Sequence, residues 1–548
     1  MQAKYTPSET VDFIVIGSGA AGGAVAKELS VAGYRVVVLE QGPYLKEKDF
    51  KHDEILHSTR SPLMNDPRLQ PSTFRKNDTE QFTVGRSAGY GRQVGGGTVH
   101  FTANYWRFHE IDFHEREMWG PIAGTGFDNW PISYAELEPY YTKAEWDVGV
   151  SGLAGANPFD SFRSKPFPLP PLPVKSSGVL FERGAKKLGL HPYPSPMAIL
   201  SQPYRGRGAC THCGFCMRYG CEIGAKSSTL ASLIRVAERT GKCEIRADSY
   251  VRRIQTDDNG RVTGAVYFDK DRREVFQKAK AVVLCANGAE SPRLLLMSKS
   301  NRFPNGLANS SGLVGKYLMY DSGTTVHGMF EHPLNEYKSV EVTRVVQDHY
   351  NADPKRGFYG GGGMDSRFGF NPISFATRGL PPELPTWGAE YKKSLVEYYT
   401  HTMSSMSHTT TLPLPTNRIE LDPELKDDWG LPAMRITYQN HPDDIATLAF
   451  VRERQMEVLE AAGAKKVWGR PVREIRGSVH LMGTARMGND PQKSVVDKFH
   501  RAHDVRNLFV VDGSSFVTSG RQQPTLTIQA LAYRAADFMV RSAKAGEI

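Results

Sequence analysis

Cysteine is scarce, with six thiols in 548 residues, far too few for a disulfide framework. No run of about 18 apolar residues occurs, so no transmembrane helix is expected. The first ten residues lack an apolar h-region and a twin arginine, so the chain reads as cytoplasmic. A protein carried folded into the periplasm by a tagged partner subunit would read the same way. Basic residues outnumber acidic ones, 68 to 59 for a net charge of +9, but they are scattered rather than gathered into runs. That argues against a nucleic-acid partner and suits an acidic partner or an anionic substrate. Repeats and low-complexity segments are absent. With 40% hydrophobic and 23% charged residues, the composition is that of a soluble globular protein. The length suggests roughly two to four domains.

Four of the six cysteines crowd into one loop, Cys210-Thr-His-Cys213-Gly-Phe-Cys216-Met-Arg-Tyr-Gly-Cys221. This C-x2-C-x2-C-x4-C run differs from the bacterial iron–sulfur pattern by one residue and a proline. A [3Fe-4S] or [4Fe-4S] cluster held by Cys210, Cys213, Cys216 and Cys221 is the leading expectation. Structural zinc usually pairs two separated C-x2-C knuckles, and it stays open as an alternative, as do metal-free thiols. Cys243 and Cys285 sit in strand-like sequence and read as core residues.

Residues 11–42 read as strand, glycine turn, helix and strand. The proline-rich segment 166–173 reads as an extended linker. A helix is expected from about Ser228 to Glu238, then strands over Cys243–Thr256, Arg261–Phe268 and Ala279–Cys285. Alternating patterns at Arg418–Leu421 and Ala433–Tyr438 precede a long helix, Asp443 to Ala462. The tail returns to a strand (Asn507–Val511) and a helix (Thr525 to Met539), which suggests that it completes the first domain. The expected fold is α/β: a discontinuous Rossmann-like domain of residues 1–330 and 471–548, carrying the cysteine-rich loop 205–226, and a sheet-based cap of residues 331–470.

Gly17-x-Gly19-x-x-Gly22 follows the first strand and opens the first helix, with Ala20 and Ala21 between the glycines. The glycines allow a tight turn, approach of a pyrophosphate to the backbone and close helix–strand packing, with phosphate at the positive helix end. Glu40 closes the second strand, where a carboxylate can hold ribose hydroxyls. These features predict a dinucleotide site without choosing between FAD and NAD.

Three further segments resemble the glucose–methanol–choline flavin oxidoreductase family: Gly91 to Arg107, containing Gly95-Gly-Gly97-Thr-Val-His100; Asn287 to Met297, a looser match; and the tail from Ser478 to Gly488, Phe509 to Ser514 and Pro524 to Leu531. Trp130 to Tyr141 resembles the bacterial sugar and sugar-acid dehydrogenase branch, some members of which carry a cluster in a similarly placed cysteine loop. The resemblance implies FAD and an alcohol that loses its hydroxyl proton to a base and its hydride to the flavin. It assigns the base to His480, an imidazole being suited to proton exchange near neutral pH. Just before the Pro-Thr run, where relatives place Asn or His, stands Gln523, whose longer amide can still donate to a substrate oxygen. Asn104, Asp512, Gly513 and Thr525 are assigned to the flavin by the same matches. His100 either bonds covalently to the flavin or lines its edge.

The expected function is oxidation of a sugar, glycoside, polyol or sugar acid. Electrons would leave through the cluster to a cytochrome or quinone, with a small escort subunit compatible with the pattern. The alternative is an oxygen-using alcohol or pyranose oxidase; a flavin-bearing scaffold subunit is a third reading. Hydrolase chemistry is excluded, because Gly513-Ser-Ser-Phe is no nucleophile elbow.

Overall fold

A computed structural model describes residues 4–548. At its centre is a seven-stranded sheet. Val11–Ile16 lies parallel between Val36–Leu39 and Glu274–Leu284, with Phe13 opposite both Val36 and Ala281. Cys243–Arg246 extends the sheet in parallel beyond Val36–Leu39. Leu508–Val510 runs parallel to the end of Glu274–Leu284. On the far side, Val262–Phe268 and Tyr250–Thr256 add antiparallel. The inner strands, Val-Asp-Phe-Ile-Val-Ile and Val-Val-Val-Leu, are almost wholly buried. Such apolar strands, broken here only by the half-buried Asp12, occur where helices cover both faces of a parallel sheet. Helix Ala20–Val31 packs between Thr525–Lys544 and Leu233–Arg239. Head and tail of the chain therefore share one layer.

A six-stranded antiparallel sheet stands beside it, in the order Lys466–Gly469, Thr325–Met329, Thr402–Thr409, Gly362–Arg367, Arg344–Val346, Tyr193–Pro194. Helices Pro442–Ala461 and Ser176–Lys187 cover one face. Because side chains alternate along a strand, Met403 and Ser405 meet those helices while Met406 and His408 face the opposite way, as do Asp365 and Arg367. A smaller sheet joins Arg418–Lys426 and Pro432–Thr437 to Ser72–Arg75 and Thr83–Gly85.

Several sequence expectations shift. The cap-like sheet draws Tyr193–Pro194 and Thr325–Met329 from outside 331–470, while Pro432–Thr437 pairs with Ser72–Arg75 from the N-terminal part. The strand expected over Cys243–Thr256 is broken in two, because Asp248 takes a left-handed conformation (φ 51°). The helix expected from Ser228 starts only at Leu233, since the Ser228 hydroxyl bonds the Ala231 N–H and that of Ser232 bonds the Ser228 carbonyl. Side chains of this type compete with the backbone for helical partners.

Candidate active site

One cavity of about 900 Å3 runs from the first glycine turn to the inner face of the six-stranded sheet. At its nucleotide end, Gly17 has φ 91°, and a Cβ there would lie 2.5 Å from the Cys285 carbonyl oxygen. Gly96, at φ 53°, comes so close to the first loop that its Cβ would sit 2.8 Å from the Gly19 Cα. Two glycine loops thus meet edge to edge at the N-terminus of helix Ala20–Val31, a cradle for a pyrophosphate. Gly17, Gly19, Ala20, Ala21, Gly96 and Gly97 line the cavity; Gly22 and Gly95 do not. Gly22 is a packing residue, since a Cβ there would lie 2.0 Å from the Gly17 carbonyl oxygen. Gly95 makes the left-handed turn into the short helix Gly96–Val99.

Glu40 is buried on the cavity wall, and burial raises its carboxyl above the ordinary range. It accepts hydrogen bonds from the Ser18 N–H and hydroxyl (3.1 and 2.6 Å) and from the Gly42 N–H (3.1 Å). Asp512 is likewise buried and raised, and it accepts from Asn287 N–H, Ser291 Oγ and Ser514 N–H. Gly513 and Thr525 lie alongside. Further in, His100 and Asn104 line the wall. Both amide atoms of Asn104, Nε2 of His100 and Oε1 of Gln523 are buried without a hydrogen-bond partner. Buried polar atoms seldom stay unpaired, and these suit the polar edge of an isoalloxazine. The residues fit FAD.

The reactive end is organised by strand register. Leu481–Met482 pairs antiparallel with Met319–Tyr320, Tyr320 opposite Leu481, which carries Asp321 and His480 to the same end of the ladder. Asp321 Oδ2 is 2.8 Å from His480 Nδ1. A carboxylate accepting from Nδ1–H fixes the tautomer whose Nε2 lone pair is free to take a proton. Burial would raise Asp321, but the bond to His480 and the nearby imidazole of His408 hold it below its ordinary value. Gln523 faces His408 from across the cavity wall, its Nε2 at 2.6 and 3.1 Å from the two ring nitrogens.

Sequence reasoning missed Asp321 and His408. The available signal was the hydroxyl-rich strand Thr402–Thr409, Thr-Met-Ser-Ser-Met-Ser-His-Thr, too polar for an ordinary core strand. The aromatics Trp106, Tyr359, Tyr398 and Trp387, which could stack on a sugar ring, do not line the cavity. Trp106 bonds Ser195 and Pro196, Tyr359 bonds Glu115, Tyr398 packs in an aromatic cluster, and Trp387 is 83% exposed.

The cysteine loop docks on the same wall. Arg218 N–H donates to the His100 carbonyl at 2.7 Å, and the buried Lys226 ammonium donates to the carbonyls of Phe101, Cys216 and Tyr219. The thiols, however, sit in different surroundings. Cys216 packs into the main core, Cys221 against Leu169, Leu200 and Ala225, and Cys213 is exposed. Burial pushes the thiols of Cys210, Cys213 and Cys216 up. Among the described residues no three His, Cys, Asp or Glu side chains converge on a point that could hold a metal. As arranged, the four cysteines therefore fit neither the expected cluster nor zinc.

At its mouth the cavity is one-signed. Arg86, Arg218, Arg378 and Arg476 line it, are exposed, and make no ion pair among the described residues. The lining carboxylates are Glu40, Glu290 and Asp512; Glu40 stands by the first glycine loop and the other two by helix Asn287–Met297.

The profile of the GMC oxidoreductase family matches residues 11–319 with its N-terminal part and 413–532 with its C-terminal part. The chain is 36% identical to 2-methyl-1,2-propanediol dehydrogenase of Mycolicibacterium austroafricanum, over 98% of this chain and 96% of that one. It is 30% identical to the gluconate 2-dehydrogenase flavoprotein of Pantoea cypripedii (95% and 92%) and to the fructose dehydrogenase large subunit of Gluconobacter japonicus (98% and 99%). Among solved structures, formate oxidase superposes with a TM-score of 0.66 at 15% identity, covering 99% of this chain and all of that one. With two glycine loops around one cavity, and a family match over both halves, the chain is an FAD-dependent enzyme of the GMC oxidoreductase family.

Proposed function

We propose that the protein is a dehydrogenase oxidising the CH–OH group of a sugar, glycoside, polyol or sugar acid and delivering electrons to an external acceptor. The observation that carries this is the His480–Asp321 pair. The imidazole, aligned at 2.8 Å by a buried carboxylate, presents Nε2 to the cavity that also holds the unpaired edge of Asn104 and His100. His480 takes the hydroxyl proton, Asp321 stabilises the resulting imidazolium, and Asn104 and His100 fix the plane of the ring system opposite. FAD, when bound, supplies the acceptor for the hydride leaving the carbinol carbon. The names of the relatives support a polyol or sugar scale of substrate, and the unpaired arginines at the mouth favour the anionic, sugar-acid end of that range.

A cytochrome or quinone is the proposed acceptor, and the large-subunit character of the fructose dehydrogenase relative supports a partner chain. The cysteine spacing supports an iron–sulfur cluster, whereas the arrangement of the side chains does not; iron and sulfide analysis of anaerobically purified protein decides. The proposed compartment is the cytoplasm, or the periplasm after export with a partner. Among the described residues no helix is long and apolar enough to cross a membrane. The test is anaerobic titration with D-gluconate, D-fructose and 2-methyl-1,2-propanediol. Bleaching of the flavin by one of them, without matching peroxide when air is admitted during turnover, supports a dehydrogenase. Peroxide stoichiometric with product makes it an oxidase, and no bleaching by any alcohol removes the enzymatic reading.

A further inference from the structure

We propose that His408 is a second imidazole of the reaction centre, held as a cation beside the substrate hydroxyl to stabilise the negative charge left on its oxygen as His480 removes the proton. The inference rests on the alcohol-oxidation reading above and assigns a role that Gln523 alone does not fill.

His408 lies near the end of Thr402–Thr409, on the face turned away from the covering helices, and lines the same cavity as His480 and Gln523. It sits opposite Gly363 in the ladder, so no cross-strand side chain occupies its place. It is 2% exposed. Asp321 is shared between the two imidazoles, 2.8 Å from His480 Nδ1 and 3.8 Å from His408 Nδ1. On its other side, His408 Nε2 is 3.3 Å from Asp365 Oδ2, and the edge of Trp106 closes the ring off at 5.5 Å between centroids.

The charges divide the labour. Asp365 is paired with Arg367 through Nε at 2.7 Å and through Nη2, and Arg367 also approaches His408 Nε2 at 3.5 Å. That leaves Asp321 as the carboxylate without a permanent cation, flanked by two imidazoles. Burial favours a neutral ring at His408, yet the neighbouring carboxylates of Asp321 and Asp365 outweigh it and raise its pKa. One imidazole carries the charge that Asp321 requires, and the other, His480, is left to act as base.

Gln523 fits the same assignment. A protonated ring offers only N–H donors, so it needs the amide oxygen rather than the amide nitrogen against it. A half-turn of the terminal amide, which exchanges two nearly equal-sized atoms, brings the partnerless Oε1 onto His408 and aims the NH2 group into the cavity. In the reaction the hydroxyl proton passes to His480 Nε2 and the hydride leaves with its electron pair to FAD. The C–O bond becomes C=O, and His408 keeps its proton throughout.

The test is the anaerobic rate of flavin bleaching against pH, with FAD-loaded parent, His408→Asn and Asp365→Asn, using whichever alcohol of the preceding panel bleaches the parent fastest. The parent is expected to lose rate on an alkaline limb above the ordinary imidazole range. His408→Asn should be slower by about 10²–10³-fold, the scale of one lost oxyanion-stabilising group, with that limb abolished. Asp365→Asn should move the limb to lower pH. A His408→Asn protein within about twofold of the parent, or one retaining the limb, overturns the proposal. If His408→Asn fails to retain FAD, the Asp365→Asn profile decides, and an unmoved limb counts against it. A parent that no alcohol bleaches defeats the functional reading itself, and this inference with it.

Discussion

At the residue scale, the pair His480–Asp321 makes sharp demands. Removing a general base costs about 10²–10⁴-fold in rate, so His480→Asn should retain its flavin but bleach slower by that factor in anaerobic stopped flow. Asp321→Asn should lose a comparable factor, because the amide no longer selects the Nδ1–H tautomer. His408 makes a stability prediction as well. Its folded pKa is raised above the unfolded value of about 6.5. Its contribution is therefore complete below about pH 6.5 and is lost as pH rises through the folded value. Melting curves should show the parent losing more stability than His408→Asn between about pH 6 and pH 9. His480 and Gln523 were legible in the sequence because motifs surround them. His408 and Asp321 were not, because their meeting depends on the register of two separate ladders, which no local pattern encodes.

At the scale of elements, the glycine turns carry the account. Gly96→Ala would force a Cβ to 2.8 Å from the Gly19 Cα at a left-handed φ, closing the pyrophosphate cradle. The expected result is folded protein with sharply reduced flavin content, read from the 450 nm absorbance per chain; full flavin loading in this variant would contradict the cradle. The strand–turn–helix–strand unit from Val11 to Leu39 was readable because β-branched runs and a helical stretch alternate there without ambiguity. Helices Tyr134–Val148, Ser176–Lys187 and Gly388–His401 escaped notice. The first had a usable signal, the reciprocal bonds of Ser133 and Glu136, and the last is mostly exposed apart from Tyr398. The loop Cys210–Cys221 reads differently in sequence and in structure. Its spacing suggested four convergent ligands, but burial drives Cys216 inward while Cys213 faces solvent.

At the scale of the molecule, the tail is tied to the rest by charges as well as by sheet pairing. Arg521 is wholly buried, with Nη1 3.0 Å from Asp112 and Nη2 bonded to Glu115, while Tyr350 and Tyr359 bond the same two carboxylates. Its backbone leads directly into Gln523. Arg521→Met would leave two carboxyls buried and uncompensated, a loss of about 3–5 kcal/mol, and should appear as a lower melting temperature and a displaced Gln523. The return of Leu508–Val510 to the first sheet was foreseen from the strand-turn-helix pattern of the tail. The division into a cap of residues 331–470 was cruder than the structure, because strand pairing joins segments hundreds of residues apart and composition does not reveal partners. The one-signed mouth was invisible for the same reason, its four arginines coming from four distant parts of the chain.

The most direct measurement mixes purified, FAD-loaded protein and its His480→Asn variant anaerobically with the panel of sugars, polyols and sugar acids while flavin absorbance is followed. The account predicts one bleachable flavin per chain in the parent and the same flavin, bleached at least about 10²-fold more slowly, in the variant. A folded protein that takes up no FAD, or a variant that bleaches at the parental rate, would contradict it.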